Sequence, residues 1–351
     1  MAAAPSRRRW RVARFDIAID PAFDARLRAE PGIELVLSPL PKSDGDVTRA
    51  LAGAHVYHVS SARNEMAKYS FVTPGLLARN PHLLAISTYG AGYDSVDVDA
   101  CTKAGVIVMN QAGANRDSVA EHTLALILAV VHRLTESDHI LRERRGFSRE
   151  DLMGHEVKGM TLGLVGIGHV GTTVARMARV FGMEVIAADP LLDPKEIESR
   201  GARPVSFDEL VSTADIVSLH CPRDASTVGL MGEAQFGRMK PGSYFISTAR
   251  GGIHDETALA HALASGHLAG AGLDVWEPEP PPLDHPLLKL PNVFATYHTA
   301  GVTFEARHNI ATLGSEQIVR LLRGEKPPRL VNPEAWPAFQ SRFSGAGAII
   351  R

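Results

Sequence analysis

Cysteine is scarce in this 351-residue chain. Cys101 and Cys221 are the only two, and they form no metal-ligand or redox spacing, which excludes a disulfide framework. Both thiols are expected to be buried, in a reducing compartment, and the chain is expected to be cytoplasmic. Excess charge of one sign is also missing. The formal net charge is −2, so neither nucleic acid nor an anionic membrane surface is an expected partner. Long apolar runs are lacking too. Leu124–Val131 is too short to cross a bilayer and is followed by His132 and Arg133. The N-terminus has no apolar stretch of the signal-peptide kind. Residues 1–15 hold five arginines and no acid, and read as a solvated basic tail before the first strand. Internal repeats and low-complexity segments are absent. There are fifteen histidines but no H-E-x-x-H or comparable spacing, so no metal is expected.

What is present is an ordinary globular composition, 45% hydrophobic and 22% charged, at a length that favours two domains. Apolar segments alternate with helical patterns, which implies parallel sheets. In the first part the expected strands are Arg14–Ile19, Ile33–Val36, His55–Ser60, Leu83–Ser87 and Val106–Met109. A mostly apolar helix follows over Ser118–Arg133, with Ser118 and Glu121 as a capping box. A helix apolar nearly all round belongs between domains or in a subunit interface. Six more strands are expected at 161–167, 184–188, 215–220, 243–248, 270–275 and 292–296. A last helix covers about 303–323. Lys326-Pro-Pro328 then breaks the pattern, and the C-terminal segment is expected to return to the first domain.

The segment 161–171 reads TLGLVGIGHVG. An uncharged apolar strand runs into Gly166, Gly168 and Gly171, and Val170, Val174, Met177, Ala178 and Phe181 follow at helical spacing. Gly182 closes the helix. Asp189 ends the next strand, 18 residues past Gly171. This is the arrangement of a dinucleotide site. Gly166 makes the tight turn, Gly168 admits a pyrophosphate, and Gly171 lets the helix approach the sheet. The phosphates sit on the first helical turn, which includes His169 and Val170. Asp189 accepts from the adenosine ribose and repels a 2′-phosphate. No Arg directly follows it, so NAD is expected over NADP.

Three later residues describe carboxylate and proton chemistry. Arg250 follows a strand and precedes Gly251-Gly252, at the sheet end where α/β proteins bind ligands. A guanidinium there can grip a carboxylate with two parallel hydrogen bonds. His298 follows the last strand and can give a proton to a carbonyl oxygen or take it back. A carboxylate beside it would raise its basicity and fix its tautomer. Glu277 and Glu279 both qualify on the residues alone.

With TLGLVGIGHVG, SLHCP, STARGG, AGLDVWEPEP and HTAG in place, the chain resembles the D-isomer-specific 2-hydroxyacid dehydrogenase family over nearly its whole length. The segments SSAR (60–63), YGAGYDSVDVDA (89–100), SVAEHTLAL (118–126) and PPRLVNPE (327–334) extend the likeness. The resemblance selects Glu279 over Glu277, being five residues past Asp274, and makes Arg250, Glu279 and His298 the catalytic set. It implies that backbone N–H groups of Ala91 and Gly92 bind the substrate carboxylate. It places Asp274 on the nicotinamide carboxamide, lined by Thr248 and Ala249, with His220, Cys221 and Pro222 passing under the cofactor. The fold implied is α/β: two doubly wound parallel-sheet domains with the site between them, closing by a hinge. One is a Rossmann NAD-binding domain, 112–318. The other is a smaller, discontinuous, flavodoxin-like substrate domain, 1–111 with 319–351. A homodimer through the 118–133 helix is implied as well.

Tyr297 stands where many relatives have Pro. The loop 60–71 is longer and more polar than usual, and its Arg63 is a candidate contact for a substrate carboxylate or phosphate. The expected activity is NAD-linked interconversion of a small 2-oxoacid and a (D)-2-hydroxyacid. The rivals are phosphoglycerate dehydrogenase-type oxidation, against whose long form the lack of a regulatory domain beyond residue 351 argues, formate oxidation, and a non-enzymatic NAD-sensing protein like the dehydrogenase-related corepressors.

Overall fold

The computed structural model describes residues 10–61, 63 and 65–346. They form two compact units: the described residues up to Asn115 together with those from Phe304 on, and Arg116–Thr303.

The first unit is a five-stranded parallel sheet of β1 (Trp10–Phe15), β2 (Ile33–Ser38), β3 (Val56–Val59), β4 (Ala85–Thr88) and β5 (Ile107–Met109), in the order β2-β1-β3-β4-β5. Helices cover both faces, so successive strand residues enter opposite cores. Val12, Val56, Ala85 and Ile107 face one cluster, and Ala13, Tyr57, Ile86 and Val108 face the other. The helix Phe304–Leu322 supplies Ala311, Ile318, Val319 and Leu322 to the first of these. That packing corrects the expected boundary at 318/319. The helix packs most of its buried apolar residues into this unit's core, and the boundary falls before it, at 303/304.

The first strand also differs from expectation. It is Trp10–Phe15, not Arg14–Ile19, and residues 10–15 are no solvated tail; residues 1–9 of that expected tail lie outside the described residues. Arginines disguise a central strand. Arg14 is 6% exposed, and its guanidinium grips Asp24 through two hydrogen bonds of 2.9 and 2.7 Å. Arg11 lies opposite Glu34 on β2 and pairs with it at 3.6 Å.

The second unit is a seven-stranded parallel sheet. Its strands are β6 (Thr161–Val165), β7 (Glu184–Ala188), β8 (Arg203–Pro204), β9 (Ile216–Leu219), β10 (Ser243–Ser247), β11 (Leu268–Leu273) and β12 (Val293–Ala295). Their order is β12-β11-β10-β9-β6-β7-β8. The short edge strand β8 is additional to the six expected, and β11 starts and ends two residues earlier than the expected 270–275. The apolar helix runs Arg116–Val131, so Ser118 is not its cap. The Ser118 hydroxyl instead donates to the Ala300 carbonyl at 2.6 Å. Ala120, Leu124, Leu126, Ile127, Val130 and Val131 of this helix belong to the unit's own core. The glycines of β11 permit that approach: a Cβ on Gly272 would lie 2.8 Å from the Leu126 Cβ. Among the described residues no helix is long and apolar enough to cross a membrane. Cys101 is fully buried and Cys221 only half-buried, contrary to expectation for the second; both are free thiols.

Candidate active site

Parallel pairing aligns the carboxyl ends of six strands. Ala188, Val165, Leu219, Ser247, Leu273 and Ala295 lie side by side in one row. At about 4.8 Å per strand the row is roughly 24 Å long. The next residues along these strands are Asp189, Gly166, His220, Thr248, Asp274 and Thr296. Every candidate residue of this unit therefore emerges from one edge of one sheet, the edge where open α/β sheets take ligands.

The glycine turn has the shape its sequence promised. Gly166 has φ +91°, and a Cβ there would meet the Cys221 amide nitrogen at 2.9 Å. A Cβ on Gly171 would meet the Gly166 carbonyl at 2.5 Å, so nothing larger lets the helix sit this near the turn. Gly168 differs, because a Cβ there would enter open space. Gly168 is the N-cap of helix His169–Val180 and gives it no side-chain cap. The first-turn amides of His169, Val170 and Gly171 thus form an anion cradle of the kind a pyrophosphate requires. Asp189 is held by the Ile167 amide at 3.0 Å and the Leu191 amide at 3.1 Å. Sequence reasoning missed Arg200, which arrives from the following helix and donates to the Ile167 carbonyl at 2.8 Å. A guanidinium and the Asp189 carboxylate therefore flank the same residue. These groups fit a dinucleotide.

Along the row, His220 bonds Ser218 at 2.9 Å, and burial pushes its imidazole down to about 4, so the ring is neutral. Burial pushes the Cys221 thiol up to about 11, which leaves it protonated and unreactive. Pro222 follows, and its carbonyl accepts from Thr227 at 2.7 Å. Thr248 is buried against Thr123, 3.1 Å away. The Ala249 carbonyl accepts from its neighbour Arg250 at 2.7 Å. Gly251 shows why a small residue must follow Arg250: a Cβ there would lie 1.9 Å from the Trp276 carbonyl oxygen.

His298 and Glu279 come together. The imidazole Nδ1 is 2.9 Å from Glu279 Oε2, with side chains 31% and 13% exposed. A carboxylate accepts, so Nδ1 carries the proton and Nε2 is left to work outward. Glu277 does not compete, because it pairs with Arg223 at 3.0 Å. His298 has φ +49°, a left-handed backbone that costs a non-glycine residue about 1 kcal/mol. Asp274 holds it there. Its carbonyl accepts the His298 amide at 2.7 Å, and its fully buried carboxylate accepts the Thr299 and Ala300 amides at 2.8 and 3.0 Å. The Thr296 hydroxyl adds a third bond to that carboxylate at 2.5 Å. Asp274 thus builds the loop that presents His298, a task beyond the one the resemblance gave it. Tyr297 is 55% exposed.

In the first unit, Ala91 and Gly92 follow β4, and the Ala91 carbonyl is held by Asn110 at 2.8 Å. Arg63 lies in the loop after β3, exposed, with its Nε donating to the Asp94 carbonyl at 2.8 Å.

A doubly wound sheet with a glycine turn leading into a helix N-terminus, and an imidazole–carboxylate pair at the same end of the sheet, defines the dinucleotide-binding class of α/β protein. The family model "D-isomer specific 2-hydroxyacid dehydrogenase, NAD binding domain" matches residues 124–300. The chain is 39% identical over 267 residues to a glyoxylate reductase of Korarchaeum cryptofilum, covering 74% of this chain and 80% of that protein. It is 40% identical over 251 residues, 72% of this chain, to a D-3-phosphoglycerate dehydrogenase of Archaeoglobus fulgidus, of whose length it spans 47%. The solved TT0316 protein of Thermus thermophilus superposes with a TM-score of 0.80 at 34% identity, over 92% of this chain and 99% of that one. The chain belongs to the D-isomer-specific 2-hydroxyacid dehydrogenase family.

Proposed function

We propose that this protein interconverts a small 2-oxoacid and the corresponding (D)-2-hydroxyacid, using NAD(H). The observation that carries this reading is the 2.9 Å His298–Glu279 pair, at the sheet edge that also bears the glycine turn. The bound nicotinamide supplies or accepts the hydride. Arg250 grips the substrate carboxylate and polarises the carbonyl, assisted by backbone N–H groups of Ala91 and Gly92. In reduction, His298 donates from Nε2 to the carbonyl oxygen while Glu279 stabilises the imidazolium; in oxidation neutral His298 takes that proton back. Thr248, Ala249 and Asp274 face the nicotinamide end, and Gly166–Gly171 with Asp189 hold the other end. Asp189 favours NAD over NADP by repelling a 2′-phosphate. The first unit serves as the substrate domain. We also place the protein in the cytoplasm, on its two unpaired thiols, and as a homodimer through the 118–133 region, which light scattering in solution tests.

The deciding experiment follows NADH absorbance with glyoxylate, hydroxypyruvate, phosphohydroxypyruvate, pyruvate, phenylpyruvate and 2-oxoisocaproate, for wild type and His298→Ala. Turnover of one member, reduced about 10²- to 10⁴-fold in the variant, supports the reading. Tight NADH binding without turnover of any member would sink it and favour a sensor. Exposed Arg63 supports a phosphorylated substrate as the second reading. Preference for phosphohydroxypyruvate, lost in Arg63→Ala, identifies that case.

A further inference from the structure

The segment that carries Glu279 has little backbone with which to hold itself. Residues 277–285 read EPEPPPLDH, with no helix or strand among them. Four prolines remove four of nine backbone donors, so side chains elsewhere must fix its course.

One carboxylate does so at both ends. Glu256 opens the helix Glu256–Ala264 and is 9% exposed. Its Oε1 accepts the Glu277 amide at 2.7 Å. Its Oε2 lies 2.9 Å from His285 Nε2. His285 Nδ1 accepts the Leu287 amide at 3.3 Å, so the proton sits on Nε2 and points at Glu256 even when the ring is neutral. The His285 ring meets Trp276 edge-on at 5.7 Å. The Trp276 indole N–H in turn donates to the Thr296 carbonyl at 2.9 Å, two residues before His298. A carboxylate this far from water is costly unless its oxygens are bonded, and burial pushes the Glu256 carboxyl above its ordinary range. Its partners are the first and last residues of the segment between them.

We propose that Glu256 and His285 are a positioning pair that clamps residues 277–285 and so keeps the Glu279 carboxylate on His298 Nδ1. The pair touches neither substrate nor cofactor and acts through Glu279. The inference rests on the reading of His298 and Glu279 as the acid/base pair, and its test separates the two.

Four variants are compared with wild type: Glu256→Ala, Glu256→Gln, His285→Phe and His298→Ala. The first readout needs no activity. It is the downfield proton resonance of the His298 Nδ1–H bonded to Glu279, assigned by its loss in His298→Ala. It is expected to vanish or broaden in Glu256→Ala and to persist in Glu256→Gln, which keeps an oxygen for the Glu277 amide. The second readout is kcat/KM against pH for 2-oxoacid reduction. In Glu256→Ala the alkaline limb moves to lower pH and kcat falls about tenfold, with NADH affinity unchanged within about twofold. An unmoved resonance and an unmoved limb overturn the clamp, even if the melting temperature drops. If Glu256→Ala fails to fold, His285→Phe is read the same way, and no change in either signal overturns it equally. Retained turnover in His298→Ala would instead sink the acid/base reading, while the resonance still judges the clamp.

Discussion

At the scale of single residues, the site depends on atoms that sequence patterns do not carry. Gly251 is the sharpest case. Alanine at this position must displace either the Trp276 carbonyl or Arg250 itself, because its Cβ would lie 1.9 Å from that oxygen. A shift of about 1 Å in a positioned group can cost on the order of 10²-fold in rate. Gly251→Ala is therefore expected to lower kcat/KM by about that factor, with NADH binding largely kept; wild-type kinetics in the variant would refute the claim. Asp189 invites a different test. On the proposed reading its carboxylate would repel a 2′-phosphate, but Arg200 is already anchored on the intervening Ile167. Removing the negative charge leaves a cation beside the ribose position, which is how NADP is accommodated on this fold. Asp189→Ser is expected to raise the NADPH/NADH ratio of kcat/KM by about 10- to 100-fold. An Arg200→Ala, Asp189→Ser double variant should lose most of that gain, and equal gain in both would remove Arg200 from the argument.

At the scale of elements, what was legible followed from whether one periodicity dominated. The β6–turn–helix–β7 unit could be read because an uncharged strand, three glycines and a helical stripe agree with one another. Strand β1 could not, since Arg11 and Arg14 break its apolar pattern and only the tertiary partners Glu34 and Asp24 explain them. The two-residue strand β8 is too short to leave a pattern. The glycine, arginine and histidine positions of the site stood in the sequence as motifs, but the roles of Asp274 and Glu256 did not. Their partners are mostly backbone amides from later segments, and an amide has no letter in the sequence. The choice of Glu279 over Glu277 likewise came from resemblance, while its local physical reason is that Arg223 occupies Glu277. The bare stretch of β11 yields a prediction. Gly272 allows Leu126 to rest on the strand, two residues before Asp274, where an added Cβ would lie 2.8 Å from the leucine Cβ. Gly272→Val overpacks this contact and is expected to cost about 1–3 kcal/mol in urea unfolding. Because the strand end carries Asp274, activity should fall more than stability alone explains; a stable, fully active variant would show that the helix yields instead.

At the scale of the whole molecule, each unit hides imidazoles from water, and that sets how the protein meets acid. His58 in the first unit is buried and held well below the usual histidine range, by desolvation first and by the nearby Arg14 charge second. In the second unit burial pushes His254 down to about 4, and His220 likewise. Near neutrality these rings are uncharged in both the folded and unfolded chain, so they add nothing to stability. Below the ordinary value of about 6.5 the unfolded chain takes up protons that the folded rings refuse, His220 and His254 until about pH 4, so stability falls as the pH drops below that value. For His254 the full loss is on the order of 3 kcal/mol. This ring is also a liability at neutral pH, because it is 2% exposed and neither nitrogen has a hydrogen-bond partner among the described residues. An unpaired buried polar group costs about 1–3 kcal/mol. His254→Val keeps an apolar body against Phe245, which now lies 5.2 Å from the imidazole centroid. The variant is expected to melt a few degrees higher at pH 7.5. Between pH 7.5 and pH 5 its melting temperature should fall less than that of wild type, because one of the rings that charge on unfolding is gone. Scanning calorimetry at the two pH values checks both parts. An equal fall in the two proteins would mean that water reaches His254 in the folded state, and that the acid sensitivity lies with His58 and His220.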